Sequence, residues 1–233
     1  MAKIIIFSGA GISAESGIST FRDSGGLWDE YKIEDICAAG CMQTNRDETI
    51  EFYDRRRLEL EDKLPNKAHK EIVKLQEHYP HDIKVITQNV DNLFEKANSE
   101  DIMHLHGFMT SIYCESCGYK EDIGYKKQKD VYDSCPKCKT DMLRPDVVFF
   151  GEAAPMYASL MKELNDCEFL VVIGTSGNVI NTDMFLNPNI KYSILNNLEV
   201  SDAINDTLYS KVLYKKASQA IDEIVENIKQ FLV

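Results

Sequence analysis

With 233 residues, 44% of them hydrophobic and 27% charged, the chain is an ordinary globular mix, long enough for one large domain or one and a half small ones. No apolar run approaches the roughly eighteen residues of a membrane-crossing helix, so no membrane partner is expected. A formal net charge of −12 opposes non-specific nucleic-acid binding, which relies on Lys and Arg neutralising phosphates, and it suits basic partners such as lysine-rich protein segments.

Met1-Ala2-Lys3 leads straight into an apolar run without a cleavable signal region, from which a cytoplasmic protein is expected. The run Lys3–Phe7 predicts a buried strand, and Ser8-Gly9-Ala10-Gly11-Ile12-Ser13-Ala14 follows it directly. Gly9, Gly11 and Ala14 fit G-x-G-x-x-A: a tight turn, a backbone able to approach a pyrophosphate, and a small residue letting a helix pack close to the strand. That helix would aim its free N–H groups at the anion. The Gly-rich stretch 22–28 predicts a loop long enough to close over a ligand. Residues 32–63 read as helical, most clearly from Arg46 to Lys63 with Asn45 as cap. Lys67 to Tyr79 predicts a second amphipathic helix with Ala68, Ile72, Val73 and Leu75 on its apolar side.

Ile83–Ile86 predicts a strand that delivers Gln88-Asn89-Val90-Asp91 at its C-terminal end, where α/β sheets place ligands. Ile102–Gly107 predicts another. Residues 108–143 are polar and break the rhythm as an inserted module, and the βα pattern is expected to resume at Leu143. A helix over 156–165, strands at Phe169–Ile173, Lys191–Leu195 and Lys211–Tyr214, and a last helix over Lys216–Leu232 complete the chain. Such alternation implies an α/β fold with a parallel sheet covered on both faces.

Seven cysteines make an odd number, and four form Cys114-x-x-Cys117 and Cys135-x-x-Cys138, with seventeen residues between the pairs. This is the spacing of a tetrahedral Zn²⁺ site closed by four thiolates, hence structural. Cys37, Cys41 and Cys167 read as buried small hydrophobes. His106, just before Gly107, suits a general base at a cleft, although a lone histidine in such a place is more often a packed or hydrogen-bonded one. With His104 it forms H-x-H, a conceivable second metal pair lacking further ligands. Gln88-Asn89-x-Asp91 offers amides and a carboxylate to a ribose or amide ligand. By itself it suits a turn with Asp91 capping the next helix. Tyr53 and Arg56, three apart on a predicted helix, face one way. They suit a carboxylate clamp or a solvated Arg55-Arg56-Arg57 run balanced by Glu59 and Glu61.

Taken together, Gly9-Ala10-Gly11-Ile12-Ser13, Gly17-Ile18-x-Thr20-Phe21-Arg22, Thr87-Gln88-Asn89-Val90-Asp91, His106-Gly107, the paired cysteines, Phe150-Gly151-Glu152, Gly174-Thr175-Ser176 and Asn197-Leu198-Glu199 occur in the order seen in sirtuins. Those are NAD-dependent protein-lysine deacylases, and the resemblance spans essentially the whole chain. It implies a Rossmann-like parallel-sheet domain (1–31, 66–107 and 144–233) carrying a smaller domain (32–65 and 108–143) made of a helical module and a four-cysteine zinc module. It also implies roles. Gly9, Ala10, Gly11, Ser13 and the loop through Thr20, Phe21 and Arg22 would hold the NAD pyrophosphate and nicotinamide ribose. Asp91 would bind the nicotinamide carboxamide, Asn89 would position a ribose and a water, and Gln88 would line the ribose. Gly174, Thr175 and Ser176 would contact the phosphate and adenosine side, with Asn197, Glu199 and the Ala217 backbone near the adenosine. Cys114, Cys117, Cys135 and Cys138 would hold zinc.

The mechanism this implies starts with attack of the acyl oxygen of a modified lysine on C1′ of the nicotinamide ribose, displacing nicotinamide. His106 then removes a ribose proton so that a hydroxyl attacks the acyl carbon, and water completes the release of lysine and O-acyl-ADP-ribose. An acyl-lysine protein segment would add as a strand between Val147-Val148-Phe149 and Gly177-Asn178-Val179, beside Phe150. The Tyr53-x-x-Arg56 pair resembles that of sirtuins that remove succinyl and malonyl groups, which implies a preference for acidic acyl chains. Val179-Ile180-Asn181-Thr182 departs from the usual Val-x-Pro-Ala, and Phe94 and Asn98 stand where His and Gly are commoner. The competing readings are a mono-ADP-ribosyltransferase on the same NAD site, a zinc-ribbon binding module, and a zinc hydrolase using His104 and His106.

Overall fold

The computed structural model describes residues 3–19 and 32–233. Its strands are β1 (Ile4–Ser8), β2 (Ile83–Thr87), β3 (Ile102–His104), β4 (Gly107–Cys114), β5 (Lys120–Asp122), β6 (Leu143–Val147), β7 (Phe169–Ile173), β8 (Tyr192–Asn197) and β9 (Lys211–Tyr214). Its helices are α1 (Ile33–Ile36), α2 (Cys41–Thr44), α3 (Arg46–Glu59), α4 (Lys67–His78), α5 (Leu93–Lys96), α6 (Gln128–Val131), α7 (Tyr157–Asn165) and α8 (Ala217–Leu232). No helix among the described residues is long and apolar enough to cross a membrane.

Six strands form a parallel sheet in the order β3-β2-β1-β7-β8-β9. Alternate side chains of a strand leave on opposite faces, so its two central strands feed two cores. Ile4 and Ile6 of β1 and Phe169, Val171 and Ile173 of β7 pack with Ala68 and Ile72 of α4 and Ala220, Ile221 and Ile224 of α8. Ile5, Phe7, Leu170 and Val172 pack on the other face with Leu160 and Leu164 of α7, Phe185 and Tyr209. The chain leaves β1 towards β2 on one side and reaches β7 on the other. The carboxyl ends of β1 and β7 therefore flank the switch point at which such sheets bind ligands.

Two expectations about this frame need correction. The strand at Leu143 does not rejoin the parallel sheet: β6 pairs antiparallel with β4, in a three-stranded sheet of order β5-β4-β6. Leu143-Arg144-Pro145-Asp146-Val147 carries charges and a proline, which an antiparallel edge strand accommodates and a parallel strand covered on both faces does not. The fingerprint does not open an α-helix either. Two 3-10 turns follow it, Ala10–Ile12 and Ala14–Ser16, and the second stops at Gly17, which holds a φ of 77°. Ala14 is exposed rather than packed on the strand. In addition, the Asn45 side chain makes no capping hydrogen bond; its Nδ2 donates to the Asp35 carbonyl.

Gly107 joins the two sheets. Its φ is 91°, and a Cβ there would lie 2.0 Å from the Asp146 carbonyl oxygen. Gly107→Ala is therefore expected to cost about 2 kcal/mol or more, read as a lower urea midpoint. An unchanged midpoint would contradict this account of the turn.

Candidate active site

One cavity of about 800 Å³ opens at the switch point, lined by the loops after β1, β2, β7 and β8 and by the segment Val147–Glu152. Its floor is a close contact between two loops. The Gly11 N–H donates to the Gly174 carbonyl at 2.8 Å, and a Cβ on Gly11 would lie 2.7 Å from the Gly174 Cα. The second fingerprint glycine is thus required by the neighbouring β7 loop, whatever it offers a ligand.

Beside this floor lies a buried polar cluster. Ser13 Oγ donates to Asp91 Oδ2 at 2.9 Å. Asn89 Nδ2 donates to Ser13 Oγ at 3.1 Å and to the Gly9 carbonyl at 3.2 Å. Asp91 Oδ1 accepts from the Leu93 N–H, so it also makes the turn contact foreseen as the alternative. Burial raises the Asp91 pKa against the hydrogen bonds from Leu93 and Ser13. Behind Ser13 stands His69, fully buried, with Nε2 at 3.4 Å from Ser13 Oγ. Burial pushes its pKa down to about 4, so it is neutral at pH 7. On its other side the His69 ring meets Phe94 edge to face. Gln88 Nε2 donates to Thr175 Oγ1 at 2.9 Å, and Asn197 Nδ2 donates to the Thr175 carbonyl at 2.9 Å. These bonds tie the loops after β2, β7 and β8 together.

His106 lines the same cavity as Asn89 and Asp91. Its Nδ1 lies 3.0 Å from the Gln88 carbonyl, which fixes the proton on Nδ1. Nε2 is then the basic atom, and Tyr157 stands with its hydroxyl 3.1 Å away. Burial pushes the His106 pKa below its ordinary value, so the ring is a neutral acceptor at pH 7. His104 lies apart, with its ring nitrogens at the Asn89 carbonyl and Glu95. Among the described residues, the group of three or more His, Cys and acidic side chains disposed for a metal is the four paired cysteines; His104 and His106 belong to no such group and engage separate partners.

The helical module walls the opposite side. Tyr53 is buried, stacked on Phe149 with ring centroids 5.4 Å apart, and its hydroxyl donates to Cys37 Sγ at 3.4 Å. Arg56 also lines the cavity, 3.3 Å from Glu59. The three consecutive arginines diverge. Arg55 pairs with Glu51 at the surface, whereas Arg57 is fully buried on Asp54 and the Met109 carbonyl. Arg144, also buried, grips Glu152 at 2.6 Å, donates to the Val147 carbonyl and lies 3.8 Å over the Phe149 ring. It thereby shapes the Val147–Glu152 wall.

The structure brings Gly9, Ala10, Gly11, Ser13, Gln88, Asn89, Asp91, His106, Gly174, Thr175, Ser176, Asn197, Glu199 and Ala217 to one cavity, with Tyr53, Arg56, Val147, Val148, Phe149, Phe150, Asn178 and Val179. Gly177 does not line it; a Cβ there would meet Ile204. Thr20, Phe21 and Arg22 lie outside the described residues. The sequence reading missed His69, Tyr157, Cys37 and Arg144. A histidine on the apolar stripe of α4 was a usable signal for His69; Tyr157 had no local signal.

Cys114 and Cys138 have sulfurs 3.6 Å apart, as do Cys117 and Cys135, and all four lie within 4.8 Å of one another. Zn–S bonds of about 2.3 Å in a tetrahedron put sulfurs about 3.8 Å apart, so the set fits Zn²⁺. The surrounding core is Ile112, Cys114, Ile123, Cys135 and Leu143, with Tyr119, Val131 and Tyr132 partly buried against it, too small to hold a module without a metal.

The Sir2 family model matches residues 9–181. This chain belongs to the Sir2 family. It is 42% identical to an NAD-dependent protein deacylase of Campylobacter jejuni (strain RM1221), over all of this chain and 98% of that protein. It is 38% identical to an NAD-dependent protein deacylase of Helicobacter hepaticus, with both chains covered in full. Among solved structures, a Sir2 homolog–NAD complex superposes with a TM-score of 0.85 at 30% identity, covering 99% of this chain and 90% of that one. The Sir2 fold accounts for the parallel sheet, the small inserted sheet and the four converging cysteines.

Proposed function

We propose that this sirtuin is an NAD-dependent protein-lysine deacylase with a preference for acidic acyl groups. The observation that carries the deacylase reading is the single cavity that joins the neutral His106 ring to the Ser13–Asn89–Asp91 cluster at the sheet's switch point. A volume of about 800 Å³ suits a large ligand, and the relatives named for this activity support the reading.

When bound, NAD supplies an electrophilic ribose carbon with nicotinamide as its leaving group. The Gly9–Ser13 and Gly174–Ser176 loops hold its phosphates, and Asn197, Glu199 and Ala217 its adenosine end. Asp91, fixed by Ser13, holds the carboxamide. Asn89 orients the ribose and a water. His106 takes a ribose proton at Nε2, with its ring held in plane by the Gln88 carbonyl. The acyl-lysine segment lies between Val147–Phe150 and Asn178–Val179. The N–H groups of Val148, Phe149 and Phe150 already donate to the His106 carbonyl, Glu152 and the Cys37 carbonyl, and the carbonyls of Val147, Phe149 and Phe150 already accept from Arg144, Glu152 and Ala39, so a peptide on this wall would share acceptors that are in use. The four cysteines hold a structural zinc. Seven thiols free of disulfides suit a reducing cytoplasm.

The acyl preference rests on Tyr53 and Arg56 both lining the cavity, with Tyr53 stacked on Phe149. Because the Tyr53 hydroxyl already donates to Cys37, Arg56 carries the charge recognition. The deciding experiment incubates the enzyme with NAD and matched acetyl- and succinyl-lysine peptides and follows lysine release. In Arg56→Met, desuccinylation should fall roughly ten- to a hundredfold, the worth of a hydrogen-bonded charge pair, while deacetylation stays near wild type. Equal loss of both would defeat the clamp, and no NAD-dependent release from either peptide would defeat the deacylase.

A further inference from the structure

His104 lies outside the cleft, on a separate cavity of about 460 Å³, and both of its ring nitrogens face acceptors. Nδ1 is 2.9 Å from the Asn89 carbonyl oxygen, and Nε2 is 2.8 Å from Glu95 Oε1. The Phe108 ring meets it edge to face at 4.8 Å, and the side chain is only 12% exposed. A neutral imidazole carries one N–H and can serve one such acceptor; the imidazolium serves both. We propose that His104 is the positioning residue for Asn89 and works as an imidazolium whose charge is held by Glu95; this rests on the deacylase reading above.

The electrostatic surroundings agree. Burial would push His104 down, yet the hydrogen bond and charge of Glu95, with the Asn89 carbonyl and Asp91, outweigh it and hold the ring above the ordinary histidine value. The charged and titratable groups around the ring come from several elements, while β4 presents the Phe108 ring. Glu95 comes from α5, whose Lys96 turns away to the carbonyls of Leu60, Glu61 and Lys63. Asp91 comes from the loop after β2. Lys120 of β5 and Asp146 of β6 line the same cavity paired to each other at 2.5 Å. His106, two residues on, is engaged with Gln88. Glu95 is the one whose hydrogen bond and charge both raise the ring's pKa.

Asn89 is thus held at its N–H by Thr87 Oγ1 at 3.0 Å and at its carbonyl by His104. Its side chain then reaches Gly9 and Ser13. When pH rises through the His104 pKa, one ring proton leaves. A carboxylate repels a lone pair more than a carbonyl does, so the remaining proton stays on Nε2 and the Asn89 carbonyl loses its donor.

The test is kcat/KM for NAD against pH, with an acyl-lysine peptide and the full chain. Wild type should fall severalfold as the pH rises through the His104 pKa. Glu95→Gln should abolish that fall, because its amide can donate to Nε2 and leave the neutral ring donating from Nδ1 to Asn89. His104→Leu should be about tenfold lower throughout with a raised KM for NAD and no such fall. The wild-type ring nitrogens should both be protonated at pH 7 by ¹⁵N NMR, a readout that needs neither the variants nor the activity. A Glu95→Gln profile that keeps the wild-type fall, or a neutral ring at pH 7, would overturn the proposal. Absence of any deacylase activity would instead overturn the reading on which it rests.

Discussion

Replacing His106 by alanine is expected to lower deacylation kcat/KM by two to four orders of magnitude, the range for losing a positioned general base. The His106 Nδ1 proton is committed to the Gln88 carbonyl, which leaves Nε2 as the acceptor, and burial keeps the ring neutral. Attack by the acyl oxygen on the ribose requires no proton removal by the protein. The same variant should therefore still exchange labelled nicotinamide into NAD in the presence of acyl peptide. A His106→Ala enzyme that keeps its full deacylation rate would remove this histidine from the mechanism. The direction of the pKa shift also sets a pH limit. On the proposed role the neutral ring is the active form; with its pKa lowered from 6.5, the acid limb of the wild-type profile should lie below pH 6.5.

Removing the zinc should have the second large effect, on both fold and activity. The four sulfurs converge within 4.8 Å, while the apolar core around them holds five buried side chains, two of them cysteines of the cluster. Structural zinc contributes about 10–16 kcal/mol to the folding of comparable modules, far more than this core supplies. Chelation, or Cys135→Ser, is thus expected to unfold residues 108–143 and lower Tm. Activity should fall with it. β4 and β6 run from the cysteine cluster to Gly107 and Val147 at the cleft, and buried Arg57 ties α3 to Met109 of β4. Metal analysis should find one zinc per chain. A verified metal-free protein with unchanged Tm and activity would refute the structural role.

Much of this could be read without coordinates. The apolar runs at Ile4–Phe7, Ile83–Ile86 and Phe169–Ile173 are strands because a parallel strand covered on both faces has no polar side to show. The helices at 67–78 and 217–232 follow from their apolar stripes. Cysteine spacing located the metal set because a C-x-x-C turn is itself a local structure. Leu143–Val147 misled: its length suggests a strand, but its partner is decided by what covers it, and Arg144 and Asp146 suit an antiparallel edge. The fingerprint misled in a smaller way, since Gly17 lets the chain leave after single 3-10 turns.

The sequence by itself determined the element order, the parallel α/β class, the four converging cysteines and the set of polar residues at strand ends, since each depends on local periodicity or spacing. Only the tertiary structure decided how those residues act together. Asp91, Asn89 and Ser13 become one cluster, His106 acquires a single basic nitrogen, Tyr53 turns to Cys37, and His104 faces two acceptors. Those outcomes depend on contacts between segments as many as 80 positions apart. The hydrogen-bond partner a side chain finds when buried is a property of the packed sheet, not of its neighbours in sequence.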